Sequence, residues 1–204
     1  MGRDARRVPL REKLRNPFPV ARLDRADVHR GATTGFLHTT SGAPVFTAEI
    51  MPRSYYFSRR RLRKYRAVTV VNADSRAFLS RLLRTHHQLV GEAVFFYLDA
   101  HWLPELPLGE ELVTIANSWQ RPIIMIDDFE VPGTDYGFDD YGPQKRLCLD
   151  YLPDVIRREF RGYFPTARAS DETGSRRGYV VLARREFDAQ LAGVPGLKIA
   201  FGGH

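Results

Sequence analysis

From residue 43 onward, short apolar runs alternate with amphipathic stretches. "APVFTAEI" (43–50) is β-branched and aromatic and follows Gly42, so it reads as a strand. "PRSYYFSRRRLRKY" (52–65) opens on Pro52, which suits a first helical turn, and spaces its apolar residues at helical intervals. "AVTVVNA" (67–73) is strand-like again. "DSRAFLSRLLRTHH" (74–87) begins with a capping residue, Asp74 or Ser75, and sets Phe78, Leu79, Leu82 and Leu83 on one face. A strand is expected over 94–100, a helix over "LGEELVTIANSW" (108–119) and a strand over "PIIMIDD" (122–128). Continuously apolar strands alternating with helices predict an α/β fold whose mostly parallel sheet is covered on both faces.

The remainder is less regular. "FEVPGTDYGFDDYGP" (129–143) is rich in Gly, Asp and Tyr and reads as a long loop. "QKRLCLDYLPDVIRREF" (144–160) is expected to be helical on both sides of Pro153 and broken there. "YFPTARASDETGSRRGYVVLAR" (163–184) reads as two strands around a "DETG" turn, a C-terminal antiparallel hairpin. The expected organisation is a basic N-terminal segment (1–24) followed by one α/β domain (25–204).

Composition narrows the picture. The chain has 204 residues and is 43% hydrophobic, enough for one domain with a sizeable core. No apolar stretch approaches the roughly 20 residues of a membrane helix. The basic N-terminus lacks the apolar centre of a secretory signal, and the single Cys148 excludes an internal disulfide, so a cytoplasmic location is expected. The formal net charge of +7 raises nucleic acid as a partner. However, the basic clusters "RRRLRKY" (59–65) and "SRRGY" (175–179) lie inside patterned segments, and no recognised binding motif accompanies them. Nucleic acid is therefore not the partner the sequence favours.

The candidate chemistry lies at strand ends. In parallel sheets the ligand sits beyond the carboxyl ends of the strands. Glu49, Asp74, Asp99, Asp127 and Asp128 fall at or just after such ends and are expected to converge on one rim. Gathered carboxylates repel one another, so Asp99, Asp127 and Asp128 could bind a divalent cation such as Mg²⁺, or could merely cap the following helices. His101, two residues beyond Asp99, suits either a general base or an exposed loop histidine. Glu49 is placed to bind ribose hydroxyls, and Asp74-Ser75 to contact a base. Within "HRGATTGFL" (29–37), Gly31 would permit close approach of a ligand, and Thr33 or Thr34 would cap a helix.

Taken together, "HRGATTGFL", "VFTAEI", "NADSRAFL", "FFYLDAHW", "IIMIDDFEVP" and "RRGYVVLAR" resemble the class I S-adenosylmethionine-dependent methyltransferases. The resemblance extends to the Mg-dependent macrocin O-methyltransferase group and its cephalosporin hydroxylase-like relatives, and covers residues about 29 to 184. It implies a Rossmann-like fold, with S-adenosylmethionine held by Gly31, Glu49, Asp74 and Ser75. It further implies Mg²⁺ on Asp99, Asp127 and Asp128, and His101 at the position of the base. His101 is a departure, since the family has an acid at that position, and the larger departure stands at the start. The family's acid-x-Gly-x-x-x-Gly turn aligns with "RADVHRG", placing Arg25 at the acid and Asp27 at the first glycine. The upstream "NPFPVARLDR" holds no apolar strand of normal length, so the first strand is expected to be missing or degenerate. The expected activity is methyl transfer to a small-molecule hydroxyl, by a protein free of membranes and compatible with a homo-oligomer. The alternative is a catalytically degenerate domain of the same fold acting as a binding module.

Overall fold

A computed structural model describes residues 31–99, 106–172 and 174–202, together with the strand backbone of 20–24. Its described residues divide into two compact units, one ending at Ile123 and one beginning at Ile124.

The first unit is built from parallel β-α repeats. Its strands are β1 (Val20–Asp24), β2 (Val45–Glu49), β3 (Val68–Val71) and β4 (Ala93–Asp99), in the order β3-β2-β1-β4. Each neighbouring pair is parallel. The connecting helices are α1 (Ala32–Ser41), α2 (Pro52–Leu62) and α3 (Ser75–Thr85), and α4 (Leu108–Ser118) follows β4. All except β1 and α1 were legible in the periodicity to within two or three residues.

β1 corrects the expectation of a missing or degenerate first strand. Five residues, "VARLD", pair with β2 on one side and β4 on the other. The stretch lacks a continuous apolar run because its backbone hydrogen bonds, satisfied on both edges, specify it instead. The helix start after it also differs from expectation. Gly31 is the N-cap of α1 with φ 80°, and no side chain caps the helix, so Thr33 and Thr34 lie inside the first turn. A Cβ on Gly31 would lie 3.0 Å from Leu62 Cδ1 and 3.3 Å from Ser58 Cα. The glycine thus serves close packing of α1 against α2, besides supplying a positive φ.

In the second unit, β5 (Arg121–Asp127) enters from the preceding unit, and the strand order is β5-β7-β6-β8. β6 (Phe160–Pro165) is antiparallel to β7 (Tyr179–Arg184), the expected hairpin. It is also antiparallel to β8 (Leu197–Phe201), a strand the sequence reading did not anticipate. Helix α5 (Asp154–Glu159) starts after Pro153 as expected. On the other side of Pro153 there is only a single 3-10 turn at Leu149–Tyr151. α6 (Asp188–Ala192) precedes β8.

Burial follows the continuous apolar runs. Val94, Phe96 and Leu98 of β4 are fully buried, and Phe96 meets Trp119 edge to face at 4.9 Å. In the second unit Ile124, Ile126, Phe129 and Val180 to Ala183 are buried. No helix among the described residues is long and apolar enough to cross a membrane.

One charged side chain breaks the pattern. Glu111 of α4 is fully buried where α4 packs on the first turn of α3. Neither of its oxygens has a well-formed hydrogen bond from a described residue. Burial raises its pKa from 4.5 to about 7; the Ser75 hydroxyl and Arg76 oppose this only in part, and Asp74 and Glu110 add to it. The folded state therefore holds this proton more tightly than the unfolded chain. Its stabilising contribution is complete below pH 4.5 and is lost as pH rises toward 7. Urea unfolding of wild type and Glu111→Gln should diverge across that window. Wild type should lose about 3 kcal/mol relative to the variant, with no further divergence above it. Parallel stability curves would show that Glu111 does not titrate there.

Candidate cofactor site

The register of three adjacent strands sets the geometry of the first unit's rim. Asp24 is the Cα partner of Glu49 on β2 and of Asp99 on β4. Three acids therefore stand level at the carboxyl ends of β2, β1 and β4, with neighbouring strands about 4.8 Å apart. The acid at the end of β1 is Asp24. Asp24 immediately precedes Arg25, the residue that aligns with the family's acid. Residues 25–30, including Arg25 and Asp27, lie outside the described residues.

Glu49 is 4% exposed. Its Oε1 accepts the backbone N–H of Met51 at 3.2 Å. The same strand end is fixed from the side by Asn72, just after β3. The Asn72 amide donates to the carbonyls of Glu49 at 2.6 Å and Ile50 at 3.0 Å. Sequence reasoning missed Asn72. The available signal was an asparagine placed directly after an edge strand, where unpaired carbonyls of the neighbouring strand need a donor.

Asp74 is the N-cap of α3. Its Oδ1 accepts the N–H groups of Arg76 at 2.9 Å and Ala77 at 3.0 Å. This cap orients the first turn and leaves the side chain 40% exposed. Ser75 is buried, with its hydroxyl beside Glu111. Gly31, Glu49, Asp74 and Ser75 all belong to this unit, and Asp99 stands half-buried at the end of β4. His101 lies outside the described residues.

The second unit holds the other two acids. Asp127, at the end of β5, is buried, and its Oδ1 accepts the N–H of Asp128 at 3.0 Å. Asp128 has φ 55°, a left-handed conformation that aspartate tolerates better than most residues. Its carbonyl accepts the N–H of Asp139 at 2.9 Å. Its carboxylate takes the Nε–H of Arg177 at 2.8 Å, and the other arm of the guanidinium pairs with Asp139. Tyr141 in turn donates to Asp139.

Gly178 makes this arrangement possible. A Cβ there would lie 2.3 Å from the Phe129 carbonyl, whereas the glycine lets its own carbonyl accept the Phe129 N–H at 3.0 Å. The segment before β7 is thereby laid against the end of β5, bringing Arg177 to Asp128. Arg177 is the second functional candidate that sequence reasoning missed. Of the loop aromatics, Tyr136 is buried and donates to Ala167 and Glu172, a structural role. Phe138 lies under the Arg146 guanidinium at 4.7 Å.

The two units test the expected metal separately. Among the described residues no group of three or more His, Cys, Asp or Glu side chains is placed to hold a metal ion. Asp128 is already neutralised by an arginine, and one Asp127 oxygen is turned back on the backbone. A hard cation needs oxygen ligands that are not committed in this way, so Mg²⁺ at Asp128 would have to displace Arg177. In the first unit Glu49 and Asp99 end the parallel strands that flank β1, and Asp74 caps α3, which follows β3.

No family model matches the chain, and no curated protein matches it. Solved structures do match in fold. A methyltransferase from Geobacter sulfurreducens superposes with a TM-score of 0.53 at 12% identity, covering 90% of this chain and 79% of that one. A SAM-dependent methyltransferase from Aquifex aeolicus gives 0.50 at 13%, covering 89% and 93%. The fibrillarin pre-rRNA processing protein of Methanococcus jannaschii gives 0.53 at 10%, covering 86% and 68%. At these identities the likeness is one of fold: the chain has the Rossmann-like α/β fold of class I methyltransferases.

Proposed function

We propose that this chain is an S-adenosylmethionine-dependent methyltransferase acting on a hydroxyl, with a small molecule as acceptor. The observation that carries the reading is the level row of Asp24, Glu49 and Asp99 at the ends of three parallel strands. In sheets of this kind that rim is where a nucleotide-like ligand binds. The fold likeness and the sequence resemblance support it.

When bound, the cofactor supplies an electrophilic methyl group on a sulfonium. The chain's part is to hold and orient it. Glu49 accepts hydrogen bonds from the ribose hydroxyls, its position fixed by the Met51 N–H and, through the backbone, by Asn72. Asp74, at the first turn of α3, faces the base, and Ser75, whose hydroxyl is turned to Glu111, can offer only its backbone. Gly31, at the start of α1, lies toward the amino-acid end. An acidic rim favours a ligand that donates hydroxyls and carries positive charge. The acceptor's proton goes to a protein base, for which His101 is the candidate. No step is routed through Mg²⁺, because Arg177 occupies the Asp128 carboxylate.

Three measurements test this. Calorimetric titration should detect S-adenosylmethionine binding, and cofactor at about 100 times its dissociation constant should stabilise the fold by roughly 2.7 kcal/mol. Glu49→Ala should abolish that gain while leaving the ligand-free chain folded; equal gains in both proteins would remove Glu49 from the site. Methyl transfer should survive EDTA, and a strict requirement for Mg²⁺ would overturn the assignment of Asp128 to Arg177. His101→Ala should lower turnover by about 10² to 10⁴-fold, and wild-type turnover should fall as pH drops through about 6.5.

A further inference from the structure

Helix α2 buries Ser54, Ser58 and Leu62. Its outer face nevertheless carries two aromatic rings: Tyr56 is 66% exposed and Phe57 43% exposed. Ile50 and Met51, which lead into it from Glu49, are also exposed. The inner face is filled locally: Leu62 packs on Gly31 and Gly35 of α1, Tyr65 packs on Gly35, and the Ser58 backbone lies close to Gly31. Burial thus explains Ser54, Ser58 and Leu62 but gives no reason for aromatics on the outer face.

Charge supplies the reason. Between Ile50 and Ala73 there are seven basic residues and no acid. At about 3.6 residues per turn, Arg53 and Arg60 fall between Tyr56 and Phe57 around the helix, and Lys64 continues the same line. Arg53, Arg60 and Lys64 are all exposed. The outer face is therefore a row in which cations and aromatic rings alternate, edged by Arg59, Arg61 and Arg63.

We infer that α2 is a docking surface for single-stranded RNA. Bases stack on exposed aromatic rings, while phosphates pair with cations interleaved among them. Unstacked bases in loops and ends are the usual form in which RNA presents itself to aromatic side chains. A membrane surface fits less well. An interfacial helix buries a continuous apolar face and keeps its cations at the margins, whereas here Arg53 and Arg60 lie in the middle of the aromatic face. The surface starts at the residue after Glu49, so a bound strand would lie beside the rim. The inference stands without methyl transfer, and binding is read with no cofactor present.

The experiment is fluorescence anisotropy of a labelled single-stranded RNA of mixed sequence, about 16 nucleotides long, titrated with the full chain across a salt series. Every variant is first checked for an unchanged circular dichroism spectrum. Tyr56→Ala should weaken binding roughly tenfold with the salt slope unchanged, because stacking releases no counterions. Arg60→Ala should flatten the log–log salt slope by about 0.7, one phosphate contact on a single strand. Arg158→Ala, which removes an exposed charge from α5, should change neither. The inference is overturned if RNA does not bind, or if Tyr56→Ala binds like wild type. It is equally overturned if Arg158→Ala weakens binding as much as Arg60→Ala, or if a DNA strand of the same sequence binds more tightly. Capture of the chain by phosphatidylserine vesicles, lost in Tyr56→Ala and without RNA binding, would assign the surface to membranes instead.

Discussion

The parallel pairing of β1 with both of its neighbours is the constraint on which the candidate site depends. The side-chain period of a strand is two, so a slip of one residue would send every side chain to the opposite face. The observed register carries the β1 backbone to Asp24 opposite both Glu49 and Asp99. It also sets where the chain leaves the sheet, and hence how many residues remain before α1 must begin at Gly31. Asn72 reinforces the same edge by taking the carbonyls of Glu49 and Ile50. The strand ends are thus held by hydrogen bonds from both sides, which keeps a buried carboxylate in one position instead of letting it seek solvent.

Much of this was legible in the sequence, for identifiable reasons. β2 to β5 and the helices between them were readable because long apolar runs and helical spacing persist over many residues. β1 was not, since "VARLD" has a charged residue at its centre and owes its structure to two flanking partners. β8, "LKIAF", escaped notice for a related reason: it is half-exposed and pairs only with β6. The stretch before Pro153 reads as helix, but Gln144 adopts φ 61° and Leu147 bonds back to Asp139 and Glu130, so the chain turns instead. Acids at strand ends were legible as acids. Their partners were not: Asp74 spends one oxygen on its own helix, and Asp128 is met by an arginine far along the chain. Ion pairs of that span leave no periodic trace. Arg177 in "SRRGY" looked like one more surface charge.

That pair alters the electrostatic logic of the acidic residues. Crowded carboxylates need a cation, and a sequence can name the need without naming the ion. Here the described second unit meets it from within, with a guanidinium bridging Asp128 and Asp139. Arginine suits this position because its planar fork can serve two carboxylates at once and stays charged at any working pH. The price is conformational, since Asp128 and Arg176 both sit at positive φ and Gly178 tolerates no side chain.

The same attention to what burial does and does not require separates two kinds of residue on α2. The inner face buries Ser54 and Ser58. Tyr56 meets the Tyr55 ring at 5.3 Å yet remains 66% exposed. On α3 the apolar spacing puts Phe78, Leu79 and Leu82 inside. On α2 Leu62 takes the inward place, against Gly31 and Gly35, and at about 100° per residue Tyr56 and Phe57 fall on the outer surface among the arginines. Tyr56, the most exposed of these rings, is thereby left with most of its surface available to a partner from outside the chain.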